Sequence, residues 1–232
     1  MSNRAVALIP ARGGSKRISN KNIKEFYGKP IIAYSIETAF ESNIFDEVYI
    51  STDSPKIASI AKEYGAKIID RPAELADDYA TTKDVIEHAL EYLKDYEFLA
   101  TIYATAPFLK SRYLKEAFNQ LKNSNAINAF SVTSMPFPIQ RSFKIKDNRC
   151  EMFFPEYYNS RSQDLEEAYQ DAGAFYFTKI KEKSNDIFFG RDTIPIKLPR
   201  YLVHDIDTIE DWKMAEIMFE VINKEGLKND KK

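Results

Sequence analysis

"AVALIPARGGSKRISNKNI" (residues 5–23) opens with five apolar residues, passes Pro10 and then sets Gly13 and Gly14 among Arg12, Lys16 and Lys21. An unbroken apolar run of this length is the pattern of a strand covered on both faces, as in a parallel sheet flanked by helices. The two glycines let backbone N–H groups turn toward an anion with no Cβ in the way. The three cations add formal charge, and a guanidinium can place two parallel bonds on phosphate oxygens. The reading is therefore a strand followed by a triphosphate-binding turn. The spacing matches neither the GxxxxGK[ST] phosphate loop nor GxGxxG, so a Gly-Gly turn with solvated cations remains the plain alternative.

Working outward, strand-like and helix-like segments alternate. "PIIAYSIETAF" predicts a helix starting at Pro30 with Ile32, Ile36 and Phe40 on one face. "EVYIS" is a strand. Ser54 and Pro55 then read as N-cap and first position of a helix turning Ile57, Ile60, Ala61 and Tyr64 inward. "AKIID", "FLATIY" and "NAFSVTS" are further strands. They are separated by helices over "TTKDVIEHALEYLK", with Ile86, Leu90 and Leu93 inward, and "KSRYLKEAFNQLKNS". Strands joined by helices of this length predict an α/β chain with a three-layer, Rossmann-like, mostly parallel sheet. Ligands of such sheets collect at the carboxyl ends of strands.

The pattern breaks after Met135. Residues 136–170 are aromatic-rich, lack a helical period and carry a turn signal at Asp147–Asn148, which predicts a hairpin-containing excursion serving as a subunit contact. "AGAFYFTK" resumes strand character, "YLVHDID" is a late strand, and the last helix buries Trp212, Ala215, Phe219 and Ile222. "GLKNDKK" reads as a frayed tail. With no internal repeat or linker, residues 1–232 read as one domain.

Totals narrow the function. A net charge of −2 over 232 residues speaks against a broad nucleic-acid surface, so a cationic site must be local. The single cysteine, Cys150, fits a reducing compartment, and no apolar run is long enough to cross a bilayer. A cytoplasmic protein with neither nucleic-acid nor membrane partners is expected.

"HDID" is the most chemical spot in the second half. At a strand end, alternation points Asp205 and Asp207 to one face, where two carboxylates repel unless a cation or proton intervenes. Magnesium prefers such oxygens and keeps coordination sites for phosphates. The alternative is that Asp205 pairs with a lysine and Asp207 caps the final helix. Asp53, beside Ser54–Pro55, reads most simply as ordering a helix start. His88 reads as a surface residue, and His204 as a group that orients the acidic pair.

The segment "IPARGGSKRISNKNI" resembles the signature of the CMP-sialic acid synthetases, the acylneuraminate cytidylyltransferases. "GKPIIAYSIETA", "ISTDS", "RPAELADDYATT", "TAP", "RSQDL" and "DIDTIEDW" follow in family order, from Ala5 to Trp212. The resemblance implies a nucleotidyltransferase fold in which the first loop, Ala11, Arg12, Gly13, Gly14, Ser15, Lys16 and Lys21, wraps the triphosphate of CTP. It further implies that Asn22 hydrogen-bonds the nucleotide and that Arg71, with Thr81 and Thr82, lies near the cytosine. Mg2+ is implied on Asp205 and Asp207, which with Arg12 and Lys21 are the expected catalytic residues.

For the sugar, the resemblance implies Arg161, Gln163 and Tyr176, with the excursion of a homodimer reaching into a partner's site. Two departures bear on which sugar. Tyr103 to Pro107 reads "YATAP" where sialic acid synthetases have Gln-Pro-Thr-Ser-Pro, and Ala172, beside Asp171, replaces an Asn before Gly173. Both changes alter a polar contact and so the sugar matched. They shift the expectation to pseudaminic acid, with Tyr103 and Asp171 as sugar contacts, for surface or flagellar glycan synthesis. N-acetylneuraminate and legionaminate are the nearer alternatives, and a non-catalytic nucleotide-sugar binding protein the distant one.

Overall fold

The structure, a computed structural model, describes residues 3–182 and 190–224. The expected tail, residues 226–232, lies outside the described residues. The strand β1 (Ala5–Pro10) sits inside a seven-stranded sheet. Ala5, Ala7 and Ile9 join one apolar cluster, while Val6 and Leu8 join a second with Ile69, Ala89, Leu93 and Leu99. Alternate side chains of one continuous apolar run thus feed the cores on both faces of the sheet, which is why the run carries no polar residue.

A short pair, β2 (Glu25–Phe26) and β3 (Lys29–Pro30), leads into α1 (Ile31–Glu41). Pro30, the expected first helical residue, stands at the N-cap, so the helix begins one place later, at Ile31. Ile32 and Ile36 are buried as expected, but Phe40 is 43% exposed, its ring lying over Gly65 at the helix end. Next come β4 (Glu47–Thr52), α2 (Pro55–Glu63), β5 (Lys67–Asp70), α3 (Thr82–Leu90) and β6 (Phe98–Ile102). Ser54 caps α2, its hydroxyl accepting from the Ile57 amide. Ile57 and Ala61 of α2 are buried, whereas Ile60 and Tyr64 are only half-buried. Helix α3 ends four residues before the expected Lys94, yet Leu93 is still buried through the following turn.

Then follow α4 (Ser111–Lys122), β7 (Asn128–Ser134), the hairpin β8 (Phe143–Lys146) and β9 (Arg149–Met152), β10 (Tyr169–Lys179), β11 (Thr193–Lys197) and α5 (Ile209–Lys224). Asp147 and Asn148 both have positive φ, 50° and 59°, as a two-residue hairpin turn demands. On α5, Trp212, Ala215 and Ile222 are buried and Phe219 packs half-buried against them.

The sheet order is β11-β7-β10-β6-β1-β4-β5, parallel except where β10 pairs antiparallel with both β6 and β7. The chain leaves β1 toward β4 and β5, then returns to β6 on the other side of β1. The carboxyl ends of β1 and β6 therefore flank a topological switch point, where this class of sheet binds its ligands.

One expected element is absent. Residues 201–207 form no strand: the edge beside β7 is taken by β11, which the sequence reading missed, and the chain makes a 3-10 turn at Arg200–Leu202. Asp205 and Asp207 still share an outward side, because Ile206 between them is buried.

Candidate functional site at the switch point

A cavity of about 450 Å³ opens at the carboxyl ends of β1, β5 and β6. Its walls come from four stretches far apart in sequence. They are Arg12 to Asn22 after β1, Arg71 to Val85 after β5, Tyr103 to Thr105 after β6, and Asp207 before α5. Of the residues singled out from sequence, Arg12, Ser15, Lys16, Lys21, Asn22, Arg71, Thr81, Thr82, Tyr103 and Asp207 line it.

Gly13 and Gly14 do not line it. The Gly13 N–H donates to Asp53 Oδ1 at 2.8 Å, and the Ser15 N–H to the Gly13 carbonyl at 3.1 Å. A Cβ on Gly13 would meet Ser54 Cβ at 3.0 Å, so the turn approaches the α2 cap closely enough that glycine fits there with least displacement. That differs from the expected amide cradle, and it gives Asp53 a task in holding the loop. Ala11 also departs from expectation: its side chain is buried in the core and its N–H donates to the Ser51 carbonyl at 2.9 Å.

Positive charge dominates the floor. Arg71 is buried, its Nε donating to Ser51 Oγ at 3.1 Å and a terminal nitrogen to the Ser51 carbonyl at 2.7 Å. Burial pulls its guanidinium down from the ordinary arginine value, with nearby Asp53 acting the other way. Asn22, also buried, donates to the Arg12 carbonyl at 3.0 Å and so pins the cationic turn. Thr81 caps α3 reciprocally with Asp84, while Thr82 follows inside the helix.

At the rim Lys21 Nζ lies 3.2 Å from Asp207 Oδ1 and 2.7 Å from the Ile206 carbonyl, and Arg17 reaches Asp207 Oδ2 at 2.8 Å. Asp207 is not the cap of α5; Thr208 and Asp211 fill that role. Asp205 does not line the cavity. Its carboxyl is held above the ordinary aspartate value, first by burial and then by the charge of Asp207, with Lys21 opposing. Asp207 at the rim and Asp205 just outside it are two hard-oxygen donors that repel each other, a chemistry that suits a divalent cation completing its shell with phosphate and water. Among the described residues no cluster of three or more acidic, His or Cys side chains forms a fuller metal cage.

His204 is set apart from this pair. It packs on Phe108, with 4.8 Å between ring centroids, and burial lowers its pKa, so it is not placed to orient the aspartates.

Sequence reading did not anticipate the loop at Asp77–Asp78. Asp78 Oδ1 sits 3.0 Å from Arg12, its other oxygen bonds Lys16, and the Asp77 carbonyl accepts from Arg12. An acidic group of the chain thus occupies the cations expected to hold phosphate. The acidic doublet in "LADDYATT" is the available signal, but it does not name its cationic partners. Lys16 and, secondarily, Arg12 hold the Asp78 carboxyl below its ordinary value.

The other expected sugar residues lie elsewhere. Arg161 pairs with Asp164 at 2.6 Å, and it and Gln163 are exposed on the excursion, outside this chain's cavity. Asp171 and Tyr176 lie behind the cavity wall on β10, bonded to each other.

Known proteins are similar to this chain in sequence over most of its length. The model of the cytidylyltransferase family matches residues 6–207. The pseudaminic acid cytidylyltransferase of Campylobacter jejuni serotype O:2 is 45% identical over 93% of this chain and 96% of its own. The CMP-N,N'-diacetyllegionaminic acid synthase of Legionella pneumophila is 32% identical over 97% of this chain and 99% of its own. In fold alone, a CMP:2-keto-3-deoxy-manno-octonic acid synthetase solved with CTP superposes with a TM-score of 0.69 at 15% identity, covering 94% of this chain and 99% of that one. With a switch-point cavity built from a cationic turn and a sequence match running from β1 to Asp207, the chain belongs to the cytidylyltransferase family.

Proposed function

We propose that this protein couples CTP to the anomeric hydroxyl of pseudaminic acid, releasing pyrophosphate and giving the CMP-sugar. The observation that carries the reading is the convergence of Arg12, Lys16, Lys21, Arg71 and Asp207 on one cavity at the switch point. The 45% identity to a pseudaminic acid cytidylyltransferase supports that sugar over N-acetylneuraminate or legionaminate.

Arg12, Lys16 and Lys21 would neutralise the triphosphate and the departing pyrophosphate. Asn22 would keep the turn in place through its bond to the Arg12 carbonyl. Arg71, Thr81 and Thr82 would close around the base, where a snug wall with few polar groups excludes purines. The rate gain would come from alignment for in-line attack and from charge neutralisation, with no covalent enzyme intermediate. Asp205 and Asp207 would hold Mg2+, which when bound supplies positive charge at the α-phosphate and favours ionisation of the attacking hydroxyl.

The excursion, with Phe137, Phe143, Ile145 and Tyr158 exposed, would pack a second copy of the chain and present Arg161 and Gln163 to the partner's sugar. Among the described residues no helix is long and apolar enough to cross a membrane. A cytoplasmic role supplying activated sugar for surface or flagellar glycans fits a CTP-dependent reaction.

The test is pyrophosphate release from CTP with a panel of pseudaminic, legionaminic and N-acetylneuraminic acids. Fastest turnover with pseudaminic acid is expected. Preference for another acid reassigns the sugar, and tight CTP binding without release from any of them means a binding protein.

A further inference from the structure

Two cations hold Asp207 on unequal terms. Its Oδ1 lies 3.2 Å from Lys21 Nζ, and its Oδ2 lies 2.8 Å from a terminal nitrogen of Arg17. Lys21 is anchored independently by the Ile206 carbonyl at 2.7 Å, and its side chain is only 20% exposed. Arg17 has no such second hold. Its side chain is 66% exposed, and among the described residues Asp207 is its one ion-pair partner. The next residue, Ile18, is buried in the core and fixes the backbone there. Arg17 is therefore a long arm on a fixed base, lining the same cavity as Arg12, Lys16 and Lys21.

Charge decides what such an arm can do. One carboxylate facing two cations leaves this corner of the cavity net positive, and that charge repels an added divalent ion. Arg12 and Lys16 do not belong to the corner, since they pair with Asp78. A divalent ion that takes Asp207 has to displace a cation from it, and Arg17 is the one with no other partner to hold it in place. A triphosphate supplies the anion that the departing guanidinium needs, because the same planar fork matches phosphate and carboxylate oxygens.

We infer that Arg17 and the divalent cation compete for Asp207, and that Arg17 is the positioning residue that makes metal binding depend on nucleotide. Its guanidinium holds Asp207 in the nucleotide-free protein and passes to the phosphates when CTP and metal bind together. The inference rests on the proposed function, in which Asp205 and Asp207 hold Mg2+ and the cavity holds CTP. It gives a task to a cation that stood outside the expected set of Arg12, Lys16 and Lys21. Coupling of this kind is reciprocal: whatever CTP adds to metal affinity, metal adds to CTP affinity. Its consequence is that the acidic pair does not trap a divalent ion when there is no substrate to act on.

The test is the affinity of the full chain for Mn2+, read from water-proton relaxation with and without CTP, in the absence of sugar and after subtracting Mn2+ held by free CTP. In wild type the ion should bind weakly alone and more tightly with CTP. Arg17→Gln is expected to tighten binding of Mn2+ alone by about two- to fivefold, the scale of an exposed ion pair, and to shrink the gain conferred by CTP by the same factor. Arg17→Lys, which keeps the charge, should stay close to wild type. Lys16→Gln removes the same charge from the same turn but not from Asp207, and should leave the affinity for Mn2+ alone unchanged. Arg17 is a surface side chain, so the denaturant midpoint of Arg17→Gln should match that of wild type and show that the variant is folded.

An unchanged affinity for Mn2+ alone in Arg17→Gln overturns the competition and makes Arg17 a solvated cation or a plain phosphate contact. Equal tightening in Lys16→Gln overturns it too, since the effect is then one of general charge. Both results leave the proposed reaction standing. Wild-type protein that binds no Mn2+ even with CTP overturns the metal reading of Asp205 and Asp207, and the competition with it.

Discussion

Lys21 Nζ and Asp207 Oδ1, 186 positions apart in sequence, lie 3.2 Å from each other at the mouth of the switch-point cavity. The contact joins the turn after the first strand to the segment before the last helix. Lys21 is further held by the Ile206 carbonyl, so its ammonium is anchored even if the carboxylate is removed. Asp207→Ala is therefore expected to leave CTP binding nearly intact and to slow the chemical step by about 100-fold or more, the scale of losing one charge-stabilising group in a closed site. Single-turnover pyrophosphate release, set against CTP affinity, measures the split. A surviving single-turnover rate would remove Asp207 from the chemistry.

Asp78 stands where phosphate is expected, on Arg12 and Lys16. An incoming triphosphate must displace it, so Asp78→Asn should tighten pyrophosphate inhibition by about two- to fivefold, the modest scale of an exposed ion pair. The gain should fade as salt rises. The carboxyl's folded pKa is depressed by Lys16 and Arg12, so its contribution is present above the unfolded value and lost only as pH falls through the lower folded one. The effect of the substitution should accordingly be flat across neutral pH. Weaker inhibition in Asp78→Asn would mean that Asp78 orients the cations for phosphate and does not compete with it.

Gly13 and the α2 cap lie close enough to crowd a methyl group: the added Cβ would be 3.0 Å from Ser54 Cβ and 3.5 Å from an Asp53 oxygen. Gly13→Ala is expected to push the cationic turn away from α2 by a few tenths of an ångström, at roughly 1–3 kcal/mol if the strain is borne in place. The expected outcome is a raised KM for CTP with little change in the KM for sugar. Initial-rate kinetics with each substrate varied will separate the two.

Adjacent threonines should divide stability from selectivity. Thr81 caps α3, its hydroxyl accepting from the Asp84 amide at 3.2 Å while Asp84 accepts from the Thr81 amide at 2.8 Å. Thr81→Ala should lower unfolding free energy by about 1 kcal/mol, read from denaturant midpoints. Thr82, already inside the helix, holds no cap, so Thr82→Ala should leave the midpoint in place and change discrimination between CTP and UTP. A midpoint that falls equally in both would mean that the wall is built by the helix as a whole.

What could be read in advance follows the range of the forces involved. The double-faced run Ala5–Ile9, the Ser54–Pro55 helix start and the Asp147–Asn148 turn are set by neighbours in sequence, and each formed as its local chemistry requires. The stretch 201–207 carried an extended-looking pattern, but a strand needs a free edge, and whether β11 had already taken it is a property of the whole sheet. Asp171 read as a sugar contact because its neighbours resemble a sugar site. Only the backbone irregularity at Gly173 turns both of its oxygens inward. The role of Asp78 is not legible in advance, since nothing in the sequence shows that Arg12 and Lys16 lie across the cavity from it.

The excursion offers a test that mixes chains. Phe143 and Ile145 stand exposed on β8, beside the turn at Asp147, while Arg161 lies outside its own chain's cavity. If a second copy covers this hairpin and receives Arg161 at its sugar, Ile145→Asp should give monomers in sedimentation that still bind CTP but have lost sugar turnover. Arg161→Ala and Asp207→Ala should each be inactive alone, yet regain activity when unfolded together and refolded. Half of the resulting dimers are mixed, and in each of these one of two sites unites an intact Asp207 with an intact Arg161, so about a quarter of wild-type activity should return. If each chain used its own Arg161, every site would lack one group or the other, and the mixture would stay as inactive as its parts.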